Sequence, residues 1–262
     1  MCYDVQLLKG KLKKLEKRYG AVKPTEEVLE LPLRVSGFGN AKLPVITPDE
    51  PHVVKALYWG FVPPFAKNAK DAAIWKNRSL NCRADTLRHK LAAHENSMFK
   101  QAANKPCVIL VSGFFEWHTL SDGKTKVPYY IGLKDGETFP IAGLTSNWHD
   151  LADPNRTCTG TTLCTTAANS LLGFIHNQPK GSEDYRMPAI LLPEEIPAWL
   201  DTSLSADDRL SMIRSYPKEE MLAYTVANFK KKDFRETDSG APLPPTDYGL
   251  PNVPTQIDGA GV

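Results

Sequence analysis

The chain has 262 residues, of which 42% are hydrophobic and 24% charged, and its net charge is +2 at pH 7. This composition is typical of a globular protein with a sizeable core. The small net charge excludes binding of nucleic acid by bulk charge alone. No apolar run approaches the ~18 residues of a membrane span. The five cysteines are odd in number and lack CxxC spacing. We therefore expect a cytoplasmic protein with no disulfide framework, no metal site and no cofactor.

The first element of interest is the N-terminal run MCYDV. Removal of Met1 would make Cys2 an N-terminal cysteine, with an α-amine of pKa ~8 beside a thiol of pKa ~8.5. Such an aminothiol traps an aldehyde in two steps: the amine forms an imine, and the sulfur then closes a five-membered thiazolidine. With Met1 retained, the nitrogen is an amide and this route is closed. These five residues alone are weak evidence, because many chains carry an early cysteine by chance, and a buried or incidental thiol is the commoner case.

A basic segment follows, LLKGKLKKLEKRYG. Its leucines at positions 8, 12 and 15 have helical spacing, which predicts an amphipathic surface helix over Lys9–Arg18. A solvated basic face is favoured there over phosphate binding.

The run ALYWGFVPPF predicts a strand that ends at Pro63-Pro64, because proline cannot continue a ladder. Its aromatic residues Trp59, Phe61 and Phe65 form a stiff corner. Such corners are mostly core, although a wedge that stacks on nucleobases is the sharper alternative.

Residues 70–104 indicate a loop followed by a helix that starts near Asp85. Within this stretch, NCRADT places Asn81 and Arg83 two residues apart. If the segment is extended, both side chains lie on one side and suit a phosphate or a sugar oxygen. The alternative is an ordinary loop ion pair between Arg83 and Asp85.

The most apolar run, CVILVSGFFEWHTL, predicts one long strand. Period two places Phe114 and Glu116 on one face and Phe115 and Trp117 on the other. A carboxylate among aromatic side chains is partly desolvated, which raises its pKa and suits general acid catalysis. An edge strand with Glu116 facing water is the open alternative.

Further strands are predicted at PYYIGL, TFPIAGLTSNW, TCTGTTLCTT and RMPAILLP, with helices at AANSLLGFIH, EEIPAWLD and SADDRLSMIRS. His176 ends the first of these helices, where the helix dipole favours a protonated imidazole; a plain C-cap is the alternative. Strands outnumber helices without strict alternation, which predicts one α+β domain over residues 1–237. Residues 238–262 are rich in Pro and Gly and predict a disordered or loosely packed tail.

The order of these motifs resembles that of the SRAP family, the SOS-response-associated peptidases or abasic-site-processing proteins. The resemblance runs from Cys2 to about Leu192. It is carried by the second-position cysteine and by the segments WGFVPPF, NCRADT, CVILVSGFFEW, TTAANSLLGFIHNQ and RMPAIL.

The resemblance implies a single α+β domain around a curved, mainly antiparallel sheet with flanking helices. It further implies a monomeric sensor of abasic sites in single-stranded DNA that forms a thiazolidine crosslink through Cys2 after Met1 removal. Asn81 would orient the Cys2 amine or the sugar, Arg83 would hold a flanking phosphate, Glu116 would promote opening of the deoxyribose, and His176 would move protons. Weak lyase activity and removal of Met1 by the protein itself are further expectations, with location in the cytoplasm and on the nucleoid when DNA is bound.

Arg186 would also line the DNA groove, and Trp59 and Phe65 would contact or separate bases. The chain departs from the family pattern at Tyr3-Asp4, Asp85, Phe65 and the long loop before Arg186. Two other functions remain open: an N-terminal cysteine peptidase or hydrolase, and a non-covalent reader of damaged or modified DNA.

Overall fold

A computed structural model of the chain describes residues 2–19, 22–153, 155–178, 184–234 and 241–261. Its strands are β1 (Asp4–Gln6), β2 (Lys23–Pro24), β3 (Arg34–Ser36), β4 (Lys42–Thr47), β5 (Glu50–Trp59), β6 (Asn81–Arg83), β7 (Pro106–Val111), β8 (Gly113–Thr119), β9 (Lys126–Leu133), β10 (Phe139–His149), β11 (Thr157–Ala167), β12 (Arg186–Pro188), β13 (Met221–Thr225) and β14 (Gln256–Asp258). Its α-helices are α1 (Lys9–Leu12), α2 (Leu15–Tyr19), α3 (Glu26–Glu30), α4 (Ala69–Arg78), α5 (Ala84–Ala92), α6 (Ser170–Ile175), α7 (Ile196–Leu200) and α8 (Ala206–Ser211). Single 3-10 turns lie at Gly37–Gly39, Ala102–Asn104, Pro193–Glu195, Lys218–Glu220 and Gly259–Gly261.

The strands form two sheets. The first sheet has the order β14-β13-β9-β8-β1-β3, and its neighbours are antiparallel. The second has the order β12-β11-β10-β7-β4-β5-β2, with β6 added beside β11. A parallel pairing of β5 with β11 closes β11, β10, β7, β4 and β5 into a ring. The predicted α+β class with a curved, mainly antiparallel sheet is confirmed.

One hydrophobic core joins the two sheets. Phe114 and Ile131 from the first sheet belong to the same buried cluster as Ile109 and Leu163 from the second. Because this core is continuous across both sheets, they form a single domain.

The prediction of one long strand at CVILVSGFFEWHTL is wrong. The run is two strands, β7 and β8, which lie in different sheets and are separated by Ser112. The Ser112 N–H donates to the Gln6 carbonyl at 2.9 Å, and its hydroxyl accepts from Leu8 N at 3.0 Å. The first residue of β8, Gly113, packs so closely on the Tyr130 ring that a Cβ at this position would lie 2.3 Å from it. This position therefore requires glycine. Because both strands are buried, the sequence is apolar throughout and gives no sign that the chain passes from one sheet to the other.

Residues 70–104 also differ from the prediction. Helix α4 occupies the stretch that indicated a loop, and Asn68 caps it by accepting hydrogen bonds from Lys70 N and Asp71 N at 3.0 and 3.1 Å. Asparagine is among the strongest N-caps, so this helix start was readable. Helix α5 then follows β6 directly.

The basic segment forms two short helices, α1 and α2, rather than one. The three spaced leucines are buried as predicted. Lys11 pairs with Glu137 at 2.5 Å and Arg18 with Asp135 at 2.7 Å. Both carboxylates lie in the loop between β9 and β10, so these two cations already have acidic partners.

The C-terminal segment differs from the loosely packed tail that its composition indicates. In residues 241–261, β14 pairs with β13 and sets Ile257 opposite Ala223. Tyr129 Oη donates to the Pro254 carbonyl at 2.9 Å, and Leu243 is buried. Residues 238–240 lie outside the described residues. Within the described ranges, the helices are too short or too polar to span a bilayer.

Candidate functional site

Strand β1 brings Cys2 close to the middle of β8, where Glu116 lies. The antiparallel register sets Asp4 opposite Phe115. Cys2 is fully buried, and its Sγ donates to the Asp4 carbonyl at 3.7 Å. Burial raises the pKa of the Cys2 thiol, and the charge of Glu116 raises it further. While Met1 is attached, the nitrogen of Cys2 is an amide; the placement of Met1 lies outside the described residues.

Asn81 holds Cys2 from the second sheet. Its Nδ2 donates to the Cys2 carbonyl at 2.9 Å, whereas its buried Oδ1 has no hydrogen-bond partner among the described residues. Asn81 reaches Cys2 because β6 is extended and pairs in parallel with β11. Cys82 is buried between the half-buried Asn81 and Arg83, which confirms that the two polar residues share one side.

Glu116 and His176 meet beside the middle of β8. The Glu116 Oε2 lies 3.6 Å from His176 Nδ1. Phe114 packs in the main core and Phe115 in a second cluster on the other face, as period two predicted. Burial raises the pKa of Glu116, so the carboxyl is desolvated as expected and does not face water.

His176 is the C-cap of α6, and its N–H donates to the Leu172 carbonyl at 2.8 Å. Burial lowers the pKa of His176 to about 4. The expected protonation by the helix dipole is therefore wrong. A helix of six residues offers a weak dipole, whereas desolvation disfavours any charge on the imidazole. At neutral pH, a neutral imidazole faces a carboxyl that also resists ionisation.

Arg186 is not placed to line an open groove. It is 3% exposed. Its Nη1 and Nη2 donate to both Asp85 oxygens at 2.8 and 2.7 Å, and Nη2 also donates to the Thr165 carbonyl at 2.8 Å. Partial burial of Asp85 opposes its ionisation, yet these Arg186 bonds hold its pKa below the ordinary value. Arg186 thus ties β12 to the start of α5, which corrects the groove-lining prediction.

Arg83 lies beside this pair, with its Nη2 3.7 Å from Asp85 Oδ2. Its side chain is about three-tenths exposed. The ion pair that the sequence left open is therefore present, and Arg83 and Arg186 share the Asp85 carboxylate.

A comparison with family models matches residues 1–229 to the description "SOS response associated peptidase (SRAP)". The chain belongs to the SRAP family. This membership covers all of the residues that the sequence singled out as a site, from Cys2 to Arg186.

Named relatives of this SRAP protein include the Bacillus subtilis "Abasic site processing protein YoqW". It is 36% identical over 174 residues, which cover 66% of this chain and 68% of the relative. The Xenopus tropicalis "Abasic site processing protein HMCES" is 30% identical over 196 residues, which cover 67% of this chain and 52% of the relative. A crystal structure of a Bacteroides thetaiotaomicron protein superposes with a TM-score of 0.73 at 31% identity, over 87% of this chain and 93% of that one.

Within the SRAP domain, the two predicted base-contacting aromatics lie in different environments. Trp59 is fully buried, and its indole N–H donates to the Leu80 carbonyl at 3.0 Å. It is a core residue, and the prediction that it contacts bases is wrong. Phe65 is 58% exposed and packs edge-on against Trp75, with ring centroids 5.1 Å apart. Phe65 stays accessible to a base.

Sequence reasoning missed how this SRAP protein accommodates the acidic residue Asp4, two positions after Cys2. Asp4 is buried, and both of its carboxylate oxygens lie 2.9 Å from Lys230 Nζ. Arg34 Nη1 lies 3.7 Å from the same carboxylate. The two cations offset the charge of Asp4. The 226-residue separation of Asp4 from Lys230 leaves no local signal for this pairing.

Proposed function

We propose that this SRAP protein senses abasic sites in single-stranded DNA and crosslinks to them through Cys2 once Met1 has been removed. The observation that carries the proposal is the position of Asn81. Its amide holds the Cys2 carbonyl and leaves a buried oxygen without a partner. An unsatisfied buried acceptor costs about 1–3 kcal/mol, and the α-amine that Met1 removal would free is a donor that could satisfy it.

The chemistry needs only an aldehyde and the aminothiol of a processed Cys2. An abasic deoxyribose opens to expose its C1′ aldehyde. The amine adds to C1′ and water leaves, which gives an imine; the thiol sulfur then bonds to C1′ and its proton passes to the nitrogen. The product is a thiazolidine that shields the lesion. Because an imine also permits β-elimination, weak strand-cleaving activity accompanies this route.

Each remaining site residue takes a role that its environment supports. Glu116, with its raised pKa, donates the proton that opens the sugar and removes water. The neutral imidazole of His176 accepts and returns protons. Arg83, whose side chain is about three-tenths exposed, binds a flanking phosphate, and Phe65 contacts a neighbouring base.

The finer parts of the proposal follow from the same chemistry. The protein acts as a monomer on single-stranded DNA, works in the cytoplasm and on the nucleoid, and removes its own Met1. The name "abasic site processing protein" that its relatives carry supports DNA as the partner and DNA damage as the context.

The direct test mixes Met1-processed protein with a single-stranded oligonucleotide that carries one abasic site. We expect a band that survives denaturant on a gel and an intact mass equal to protein plus DNA less one water. The matched control carries an N-terminal extension before Cys2 that intact mass shows to stay attached, and it is expected to give no such band. Reversible binding of abasic DNA by fully processed protein, with no adduct, would leave a non-covalent reader instead.

Glu116→Gln is expected to slow crosslinking by about 10²-fold or more. In the parent, the rate should rise with pH as the amine (pKa ~8) deprotonates, and fall as pH passes the raised pKa of Glu116. The variant should lose that fall, because glutamine has no proton to lose. No inflection is expected near the ordinary histidine pKa, since that of His176 is about 4.

These profiles are measured as single-turnover adduct formation between pH 5 and 9. Glu116→Asp, which keeps a titrating carboxyl on a shorter chain, is the matched control and should retain a descending limb. An unchanged rate and profile in Glu116→Gln would remove Glu116 from the mechanism.

A further inference from the structure

Phe38 is a large apolar side chain left in solvent next to the nucleophile. It is 57% exposed and sits in the 3-10 turn Gly37–Gly39 between β3 and β4. Its ring packs against that of Tyr3, with centroids 5.0 Å apart and an interplanar angle of 39°. Tyr3 directly follows Cys2, so the aromatic pair begins one residue from the reacting group.

The turn that carries Phe38 is fixed between the two segments that build the site. Gly37 N–H donates to the Tyr3 carbonyl at 2.9 Å. On its other side, Gly37 packs against Leu80: a Cβ at position 37 would lie 2.9 Å from Leu80 Cδ1, so a larger residue would require the Leu80 side chain to shift. Leu80 precedes Asn81, which in turn holds Cys2. Phe38 is therefore anchored to both the Cys2 segment and the Asn81 segment.

Positive charge continues along the far side of the turn. Lys76 donates through Nζ to Asn40, the residue that ends the turn with a φ of 54°. Lys76 Nζ also lies 3.8 Å from the Tyr58 ring centroid, and Lys42 Nζ lies 4.8 Å from it. Lys42 Nζ also forms an ion pair with Glu27 Oε1 at 2.5 Å. Aromatic faces beside ammonium groups are the combination that binds single-stranded nucleic acid.

We propose that Phe38, backed by Tyr3, stacks on a nucleobase adjacent to the abasic site and thereby makes crosslinking depend on that base. This inference rests on the proposed function. A purine offers a larger face to the Phe38 ring than a pyrimidine does. Crosslinking is therefore fastest with a neighbouring purine, slower with a pyrimidine and slowest with no base. The stacked base holds the strand at the mouth of the site, where the opened sugar can meet the Cys2 amine.

The test compares Met1-processed parent and Phe38→Ala on three oligonucleotides, in which the abasic site is flanked on both sides by adenine, by cytosine or by a tetrahydrofuran residue without a base. The measurement is the second-order rate constant of adduct formation at DNA concentrations below saturation. We expect Phe38→Ala to be about five- to a hundredfold slower with adenine flanks and equal to the parent with tetrahydrofuran flanks. Both proteins should trap free deoxyribose 5-phosphate at the same rate.

Two control variants separate stacking from general damage. Phe38→Tyr keeps the ring and should retain the adenine preference. Leu151→Ala removes another exposed apolar side chain, from the loop between β10 and β11, and should react like the parent on every substrate.

Two results would overturn the stacking role: equal rates for parent and Phe38→Ala with adenine flanks, or an equal slowing on all three oligonucleotides and on deoxyribose 5-phosphate. A parent protein that traps none of these aldehydes would instead overturn the proposed function, and the inference with it. The deoxyribose 5-phosphate reaction therefore distinguishes the two failures.

Discussion

Cys2→Ala is expected to reduce the denaturant-resistant adduct with abasic DNA to an undetectable level. The variant keeps its α-amine after Met1 removal, so it can still form an imine, but it has no sulfur to close the ring. An open imine hydrolyses or undergoes β-elimination. We therefore expect strand cleavage without a stable adduct, and an adduct that reappears when borohydride reduces the imine. Denaturing gels with and without borohydride measure both products.

Two controls make this result specific to the position of the sulfur. Cys2→Ser keeps a nucleophile but replaces the thiol by a much weaker one, and should give little stable adduct. Cys158→Ala removes a half-buried thiol that is more exposed than that of Cys2, and should crosslink like the parent. A stable adduct from Cys2→Ala without reduction would place the bond on another residue.

The parts of the site that the sequence predicted correctly depend on local geometry. Asn81 and Arg83 share a side because strand side chains alternate, and the same period puts Phe114 and Phe115 on opposite faces of β8. These relations need no knowledge of what packs against the strand.

The charge state of His176 was not predictable in this way. Its position at the end of α6 follows from the sequence, but its pKa depends on burial by residues that are distant in the chain. When desolvation and a short helix dipole act in opposite directions, burial decides. The same holds for Arg186, because its partner Asp85 is 101 residues away.

The fold itself was predictable in class and not in topology. Apolar runs identify strands, whereas the closing contact of β5 with β11 is parallel and joins segments about a hundred residues apart. Nothing local marks such a pairing. The C-terminal strand β14 was missed because it has only three residues and one buried position, Ile257, which is too short for a periodic pattern.

Trp59→Ala is expected to lower the free energy of unfolding by about 3–5 kcal/mol, because it empties the space of a fully buried indole. The substitution should also loosen the site, because the indole N–H holds the Leu80 carbonyl and the next residue is Asn81. Trp59→Phe keeps most of the volume but removes one of two hydrogen bonds to that carbonyl, which still accepts from Leu163 N at 3.1 Å, so it should cost only about 0.5–1.5 kcal/mol. Chemical denaturation followed by circular dichroism measures both variants.

Phe65→Ala is the matched control that separates a core role from a base-contacting one. Phe65 is mostly exposed, so its removal should change the free energy of unfolding by no more than about 0.5 kcal/mol. Its effect should fall on the affinity for abasic DNA, where the loss of one stacked base costs about 1–3 kcal/mol. If Trp59→Ala weakened DNA binding while unfolding at the parent's denaturant concentration, Trp59 would have to leave the core to meet a base. If Trp59→Ala lowers stability and Phe65→Ala lowers only the affinity for DNA, the residue before Pro63-Pro64 belongs to the core and the residue after it belongs to the DNA-facing surface.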